Sequence, residues 1–517
     1  MSAKISQADL LVQLALAQGI ALCHTSDAEV FARIHVAGHA EIWAVKSKGF
    51  RRWLAQRFYE QYQKAPNSQA MLAALQTIEA MGYYHAGEAD VFLRVGRADG
   101  IIYVDLGDPA WRAVEVSSAG WRIVPESPVW FRRAPGMEAL PDPLLDGRIG
   151  DLKRFVNLEH DDDFLLLTAY LLNALHPAGP YPVLVFAGEQ GSAKSVTTTL
   201  VRRLLDPNST PLRSQPRDGR DLMISALNGW VMALDNVSEI PDWLSDALCR
   251  IATGGGFSTR QLYTDADEVL FSATRPIIIN GIEDPVERDD LRDRGLFLTL
   301  PPIADGRRRT EDELWAEFEE AAPLLFGALL TAVAKSLADY SGVAIPELPR
   351  MADFARRVVA AERELGCSSG RFLTAYNENR QAATEFAIEN NRLATEIVSF
   401  VDDRNWEGTA TDLLAILNGR VPEEIQRRKY WPKTPAKLSG ALRRAAPGMR
   451  RVGVTVTFWR EPGGTDGERR RMIGISRTGT GVPTVPAVPR IPALATVRDD
   501  RDGIDHSLTP AHADLPF

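Results

Sequence analysis

Cysteine is scarce in this chain. Three residues, Cys23, Cys249 and Cys367, are scattered over 517 positions. An odd, widely spaced set cannot build a disulfide framework and points to a reducing compartment. Long apolar runs are also scarce, and no stretch reads as the ~18 apolar residues that a membrane-spanning helix requires. The opening Met-Ser-Ala-Lys-Ile-Ser lacks the basic-then-apolar order of a secretory signal. These absences predict a cytoplasmic protein with no membrane contact. No internal repeat is found, which excludes a solenoid. A two-metal polymerising centre needs same-face carboxylates on a strand with a nearby histidine, and none is evident. Asp105 and Asp108 read as a turn, and Asp161 to Asp163 as a helix N-terminus. His35 and His39 are four apart but lack the glutamate of a zincin, so no zinc site is expected.

What is present is length and an ordinary globular composition. With 45% hydrophobic and 25% charged residues, 517 positions exceed one core and predict three or four units. The net charge is −9, yet residues 420–475 hold 14 Lys and Arg against 5 Asp and Glu. Such asymmetry marks either a nucleic-acid contact or a solvated basic face.

Residues 1–135 read as an α+β region: mainly helical with short extended pieces to about 80, then short runs separated by Gly, Asp and Pro turns that suggest a small antiparallel sheet. Pro135 to Gly150 reads as a linker. From 151 to 310, short apolar runs alternate with helices, the pattern of a parallel α/β sheet. Residues 311–402 are expected to form a helical lid and connecting helices. A further module spans 403–477, and the Pro/Thr-rich stretch 478–517 is expected to be disordered.

The chemistry concentrates in Gly188-Glu189-Gln190-Gly191-Ser192-Ala193-Lys194-Ser195-Val196, which follows an apolar run and opens a helix. Small residues there let backbone N–H groups curl around phosphate oxygens at the positive end of the helix. In such a phosphate loop Lys194 reaches the β- and γ-phosphates of ATP and the Ser195 hydroxyl ligates Mg²⁺. Ala193 stands where the pattern has glycine; it fits if its φ stays negative, and Gly191 adds a flexible point. Trp230 to Asp235 is an apolar run ending in a carboxylate, 41 residues after Lys194, suited to holding the magnesium's water shell. Ile277-Ile278-Ile279-Asn280 ends in an amide suited to the γ-phosphate or its attacking water. Arg294 lies 14 residues later and could reach a neighbouring subunit's phosphate; a surface ion pair is the alternative.

The segments GEQGSAKS, VMALDN, TGGGFSTRQLYTDADEV, RPIIIN and DLRDRGLFLTLPPI occur in this order. The arrangement resembles the superfamily 3 helicases, AAA+-related ring ATPases of viruses, phages and integrated mobile elements. The resemblance covers about residues 180–303. It implies a P-loop NTPase fold, a homo-oligomeric ring such as a hexamer, and single-stranded DNA in its channel. It also places a hairpin between the Asp235 and Asn280 strands, with Arg260 touching DNA; pairing of Arg260 with Asp265 or Asp267 is the alternative. The family often has an acidic residue after the strand-end Asp. Here Asn236 stands there, so Glu239 is the substitute candidate for polarising water, and nucleotide binding is a firmer expectation than fast turnover.

Between 431 and 444, Trp-Pro-Lys-Thr-Pro precedes a helix with Thr434 as N-cap and Pro435 at the first turn. Lys433, Lys437, Arg443 and Arg444 place positive charge along it. The module resembles a winged helix, whose second helix enters the major groove of duplex DNA; a packing or protein-binding role is the alternative. The resulting expectation is a DNA-dependent ATPase and helicase of a mobile element. Its rival is an ATP-switched DNA-binding initiator or regulator that hydrolyses little.

Overall fold

The computed structural model describes residues 5–255, 257–260, 268–271, 273–282, 284–286, 288–304, 306, 308–401, 405–428, 430–461 and 470–477. Residues 478–517, where disorder was expected, lie outside the described residues. Met1–Arg477 clusters as one compact unit.

The N-terminal part opens with helix α1 (Gln7–Ala17), capped by a reciprocal Ser6–Asp9 pair. An antiparallel sheet follows, β1 (Ala21–His24), β2 (Val30–Val36) and β3 (His39–Ala44), and then α2 (Lys48–Tyr62) and α3 (Ser68–His85). The three strands are the short extended pieces expected among the helices before residue 80. β3 alternates accessible and buried positions, while Val30, Phe31 and Ala32 at the start of β2 are all buried. Next come β4 (Val91–Phe92), β5 (Val95–Ala98), β6 (Ile101–Asp105), β7 (Ala113–Ser117), β8 (Gly120–Val124) and β9 (Trp130–Phe131). Strands β5 to β8 form the antiparallel sheet that the turn pattern predicts. The segment 136–150 carries no regular helix or strand but is not loose. Leu140 and Ile149 are buried, and Leu140 N–H and Leu144 N–H donate to Leu106 and Pro323.

The central part contains α4 (Asp161–Ala174), β10 (Val183–Ala187), α5 (Lys194–Leu205), α6 (Gly219–Leu227), β11 (Met232–Leu234) and α7 (Asp242–Thr253). The β-hairpin β12 (Phe257–Arg260) and β13 (Glu268–Phe271), then β14 (Ile277–Asn280), α8 (Asp289–Arg292) and β15 (Gly295–Thr299), complete it. Four strands pair in parallel in the order β11-β14-β10-β15. Continuous apolar strands of this kind are buried on both faces, as a parallel sheet requires. Alternate residues confirm it: Leu184, Phe186 and Ile278 join one core, and Val183, Val185 and Ile279 join the other.

Helices α9 (Glu311–Asp339), α10 (Ala352–Ala360), α11 (Arg371–Asn390) and α12 (Arg392–Phe400) follow. α9 opens the stretch where a helical lid was expected. It is a spine of the main core, with Phe318, Leu325, Phe326, Leu329, Leu330 and Val333 fully buried. It also corrects the expectation about apolar runs, since α9 is long and apolar enough to cross a membrane. Its apolar surface packs against β8, α4 and α10 instead. The same core runs from Leu93 in the N-terminal part to Tyr376 on α11.

The last part comprises β16 (Trp406–Thr409), α13 (Ala410–Arg420), α14 (Glu423–Arg427), α15 (Pro435–Arg451), β17 (Val454–Glu461) and β18 (Arg470–Arg477). β17 and β18 are the expected hairpin, and β16 adds a third strand beside β18 that the sequence did not announce. Helices α12 to α15 and this sheet enclose their own core around Trp431, Leu438, Leu442 and Ile475.

Candidate functional site

In an open parallel sheet, ligands bind beyond the carboxyl ends of the strands. Register places three of the singled-out segments on that edge. Phe186 pairs with Asn280 and Leu234 with Ile279, so Gly188, Asn280 and Asp235 all follow at the same end. Arg213 joins the outer side: its N–H donates to Ala233 and its carbonyl accepts from Asp235, extending the edge beyond β11.

The loop from Gly188 to Ala193 leaves β10 and enters α5. Gly188 has φ +152°, and a Cβ there would lie 2.4 Å from the Leu300 carbonyl oxygen, so only glycine fits. Ser192 is buried, and Asn157 holds the loop from behind, its amide donating to the Ser192 and Pro301 carbonyls at 3.2 and 2.6 Å. Ala193 departs from expectation. Its φ is +66°, in the left-handed region, not negative. The turn into α5 demands that conformation, and a Cβ there costs roughly 1–2 kcal/mol relative to glycine.

Among the described hydrogen bonds, the backbone N–H groups of Glu189, Gln190, Gly191, Ala193, Lys194, Ser195 and Val196 donate to no protein acceptor. Those of Lys194, Ser195 and Val196 are first-turn donors of α5, which has no side-chain cap. The Lys194 ammonium folds over the same loop, donating to the Gly188 and Glu189 carbonyls at 2.7 and 2.8 Å. Burial lowers its pKa, and nearby Asp235 opposes that shift. Open N–H donors, a helix start and an ammonium together make a cradle for an anion with several oxygens.

Beside the cradle, the exposed Ser195 hydroxyl donates to Asp235 Oδ1 at 2.9 Å. A hydroxyl and a carboxylate, both hard oxygen donors, suit a Mg²⁺ ion that also contacts phosphate. Asn280 is almost fully buried. Its Oδ1 accepts from the Asn236 N–H at 2.8 Å and its Nδ2 donates to Thr198 Oγ1 at 3.2 Å. The amide therefore ties α5 to the turn after β11. Thr198 was not singled out from the sequence; only its place one turn beyond Lys194 could have suggested it. Asn236 has φ +52° and is exposed, and Glu239 is exposed with no hydrogen bond or ion pair to the loop among the described residues.

Arg294 sits at the opposite end of the sheet. Its carbonyl accepts from the Val183 N–H, at the start of β10, one strand length (about 16 Å) from the cradle. Its guanidinium pairs with Asp290 and approaches Cys249 Sγ at 3.9 Å. Asp290 also pairs with Arg350 at 2.9 Å, Arg350 with Asp293 at 3.0 Å, and Asp293 with Arg451 of α15 at 2.5 Å. The pairing of Arg294 is the alternative its sequence context left open, while its extension through Arg350 and Asp293 to Arg451 has no sequence signal. Arg294 cannot serve the cradle of its own chain.

The hairpin expected between the Asp235 and Asn280 strands is present, with Arg260 paired through its backbone to Glu268. The Arg260 side chain, and Asp265 and Asp267, lie outside the described residues. In the last part, α15 begins as expected, with Thr434 Oγ1 accepting from the Lys437 N–H at 3.3 Å and Pro435 in the first turn. Lys437 and Arg444 are exposed, Lys433 donates to the Gln426 carbonyl, and the Arg443 guanidinium lies 4.0 Å from the Phe458 ring centre on β17. Asp105 and Asp108 are taken by Arg133 and Arg112, and no cluster of metal-ligating side chains occurs among the described residues.

Fold and site thus define a parallel α/β protein with an anion cradle and a hydroxyl–carboxylate pair on its carboxyl edge. Residues 149–380 match the family model described as actinomycete integrative conjugative element replication protein. Residues 393–489 match the model of the C-terminal domain of the same replication protein, RepA. Over these adjacent segments the chain is similar to the replication protein of a mobile element. No curated protein matches the chain. Among solved structures, the apo C-terminal region of NrS-1 is similar at 13% identity and TM-score 0.39, covering 92% of this chain and 100% of that one. SCCmec type IV Cch, described as an active helicase, is similar at 13% identity and TM-score 0.42, covering 88% and 92%. JCV helicase covers 44% of this chain and 66% of its own, at 12% identity and TM-score 0.22. The parallel α/β architecture itself is defined by the chain's own strand register.

Proposed function

We propose that this chain is the DNA-dependent ATPase and helicase of a mobile element, acting in replication in the cytoplasm. The observation that carries the reading is the contact of Ser195 with Asp235, 40 positions apart, at the mouth of a loop of open N–H groups. In this reading Gly188 to Val196 form a P-loop and hold the triphosphate of ATP through backbone N–H groups. Lys194 leaves its two carbonyls to neutralise the β- and γ-oxygens, and Ser195 and Asp235 hold Mg²⁺. When bound, Mg²⁺ supplies charge neutralisation across the phosphates. Asn280, pinned to Thr198 and Asn236, transmits the state of the γ-phosphate to the turn after β11 and positions that turn, without itself giving up a proton. Arg294, too far from its own cradle, acts on a neighbour's phosphate in a ring once Asp290 releases it. The hairpin with Arg260 contacts single-stranded DNA, and the last part, a winged helix, contacts duplex DNA through Lys433, Lys437, Arg443 and Arg444.

The test is nucleotide binding and turnover with and without single-stranded DNA. The Lys194→Ala variant is expected to lose ATP affinity at least tenfold, because the ammonium contributes a charge-assisted contact worth roughly 1.5–3 kcal/mol. Unchanged affinity would sink the phosphate-loop assignment.

A second reading has its own observation. Asn236 follows Asp235 and gives its N–H to Asn280, so no carboxylate occupies the position from which water is polarised, and Glu239 stands apart on the surface. An ATP-switched initiator or regulator would bind nucleotide normally and show no turnover stimulated by DNA.

A further inference from the structure

Helix α2 lies outside the matched segments and outside the nucleotide cradle, and its two faces differ in chemistry. Phe50, Trp53, Leu54 and Phe58 are buried against the N-terminal core. The opposite face carries Lys48, Arg51, Arg52, Tyr59 and Tyr62, all exposed, at spacings that stack them along one stripe. Tyr59 is 54% exposed and Tyr62 is 37% exposed. The Tyr62 ring packs tilted against Phe58, with ring centres 4.7 Å apart and planes 41° apart. No acidic side chain interrupts the stripe. Glu60 faces away and pairs with Arg57, and Glu79 pairs with Lys46. Among the described residues, no ion pair or side-chain hydrogen bond engages Lys48, Arg51 or Arg52.

The placement of charge is costly for the helix itself. α2 has no acidic residue in its first turn and carries Lys48, Arg51 and Arg52 near its N-terminus, where the macrodipole disfavours cations. A polyanion lying along the stripe reverses that penalty, and the two rings that follow the cations toward the C-terminal end of α2 offer platforms for bases. A folded acidic protein would match the charge but has no use for two exposed rings. A duplex hides its base faces.

We propose that the α2 stripe Lys48–Arg51–Arg52–Tyr59–Tyr62 is a docking surface for single-stranded DNA, with phosphates on the cations and bases stacked on the tyrosines. The choice of DNA rests on the replication reading, but the surface does not depend on the nucleotide cradle. Residues before 149 thereby acquire a role of their own, holding a strand that the motor part delivers or receives.

The test is binding of a fluorescent oligothymidylate to the full-length protein without nucleotide, across a salt series. Replacing both arginines, Arg51→Glu with Arg52→Glu, should weaken binding about tenfold and reduce the salt slope by about 1.4, the ~0.7 per contact of a single strand. Replacing both tyrosines with alanine should weaken binding roughly fivefold or more per stacked base and leave the salt slope alone. Tyr59→Phe with Tyr62→Phe should restore wild-type affinity, because stacking needs the ring and not the hydroxyl. Lys194→Ala should bind the strand normally, so loss of the nucleotide reading and loss of this surface are separable. The proposal is overturned if the alanine pair binds like wild type, if the phenylalanine pair fails to restore binding, or if duplex or oligouridylate of equal length competes better than oligothymidylate.

Discussion

At the residue scale, the site turns on three side chains whose chemistry is clear only in combination. Lys194 alone is a lysine resting on two carbonyls; Ser195 and Asp235 alone are a surface hydrogen bond. Together with the open N–H groups they form one cradle. Ala193 is the strained member, held at φ +66°. Ala193→Gly removes the strain but adds freedom to the unfolded chain, which cancels part of the gain. The expected result is a net stabilisation of up to about 1 kcal/mol, read as a rise in Tm with nucleotide affinity retained. A fall in Tm would show that the backbone relaxes at this position.

At the scale of elements, α4 is instructive because nearly all of it is buried. Its first turn holds Asp161, Asp162 and Asp163, favourable to the helix dipole. Asp163, however, is pushed up to about 6, chiefly by burial, with His160 opposing and Asp162 adding to the shift. A carboxyl whose folded pKa is raised favours folding in its protonated form. Its contribution is therefore present below pH ~4 and is lost as pH rises through about 6. Asp163→Asn should raise Tm more at pH 7.5 than at pH 4. Equal shifts at the two pH values would show that desolvation of this group is not what matters. The register of β11, β14 and β10 belongs to the same scale. It brings Asp235 and Asn280 level with the loop, and no single strand could do so.

At the scale of the molecule, the β5–β8 sheet and the central sheet share one core, and a buried charge cluster joins the N-terminal part to the central part. Asp206, at the end of α5, accepts from Arg94 at 3.2 Å and from Arg202 at 3.4 Å, and also from the Trp230 N–H; all three charged groups are buried. Arg94 comes from the N-terminal part and reaches the Glu138 carbonyl as well, so the segment 136–150 is clamped between the two. Removing the shared acid by Asp206→Ala leaves two buried guanidinium groups uncompensated, at a cost of about 3–5 kcal/mol. Chemical denaturation should register that loss, and a change below ~1 kcal/mol would mean that solvent reaches the cluster. The ion pairs from Arg294 through Asp290, Arg350 and Asp293 to Arg451 likewise join the central sheet to the last part.

Much of this was legible in the sequence, and for local reasons. A glycine-rich loop between an apolar strand and a helix, a strand ending in Asp and another ending in Asn are short-range patterns, and the structure places all three on one edge of a parallel sheet. Thr434 and Pro435 likewise announced the start of α15 by capping chemistry alone. Other features depend on contacts between residues far apart. The left-handed backbone of Ala193 comes from the turn that α5 must make, and the binding of Asn280 to Thr198 comes from neighbouring strands and helix. The role of α9 as a core spine comes from the sheets that cover it. Hydrophobic periodicity shows that a face will be buried but not against what, and an arginine's partners are set by whichever carboxylates folding brings within reach. Local composition therefore determined which segments bear the chemistry, and tertiary packing alone decided which of those side chains meet, which are tied up in ion pairs, and which, like those on α2, are left facing solvent.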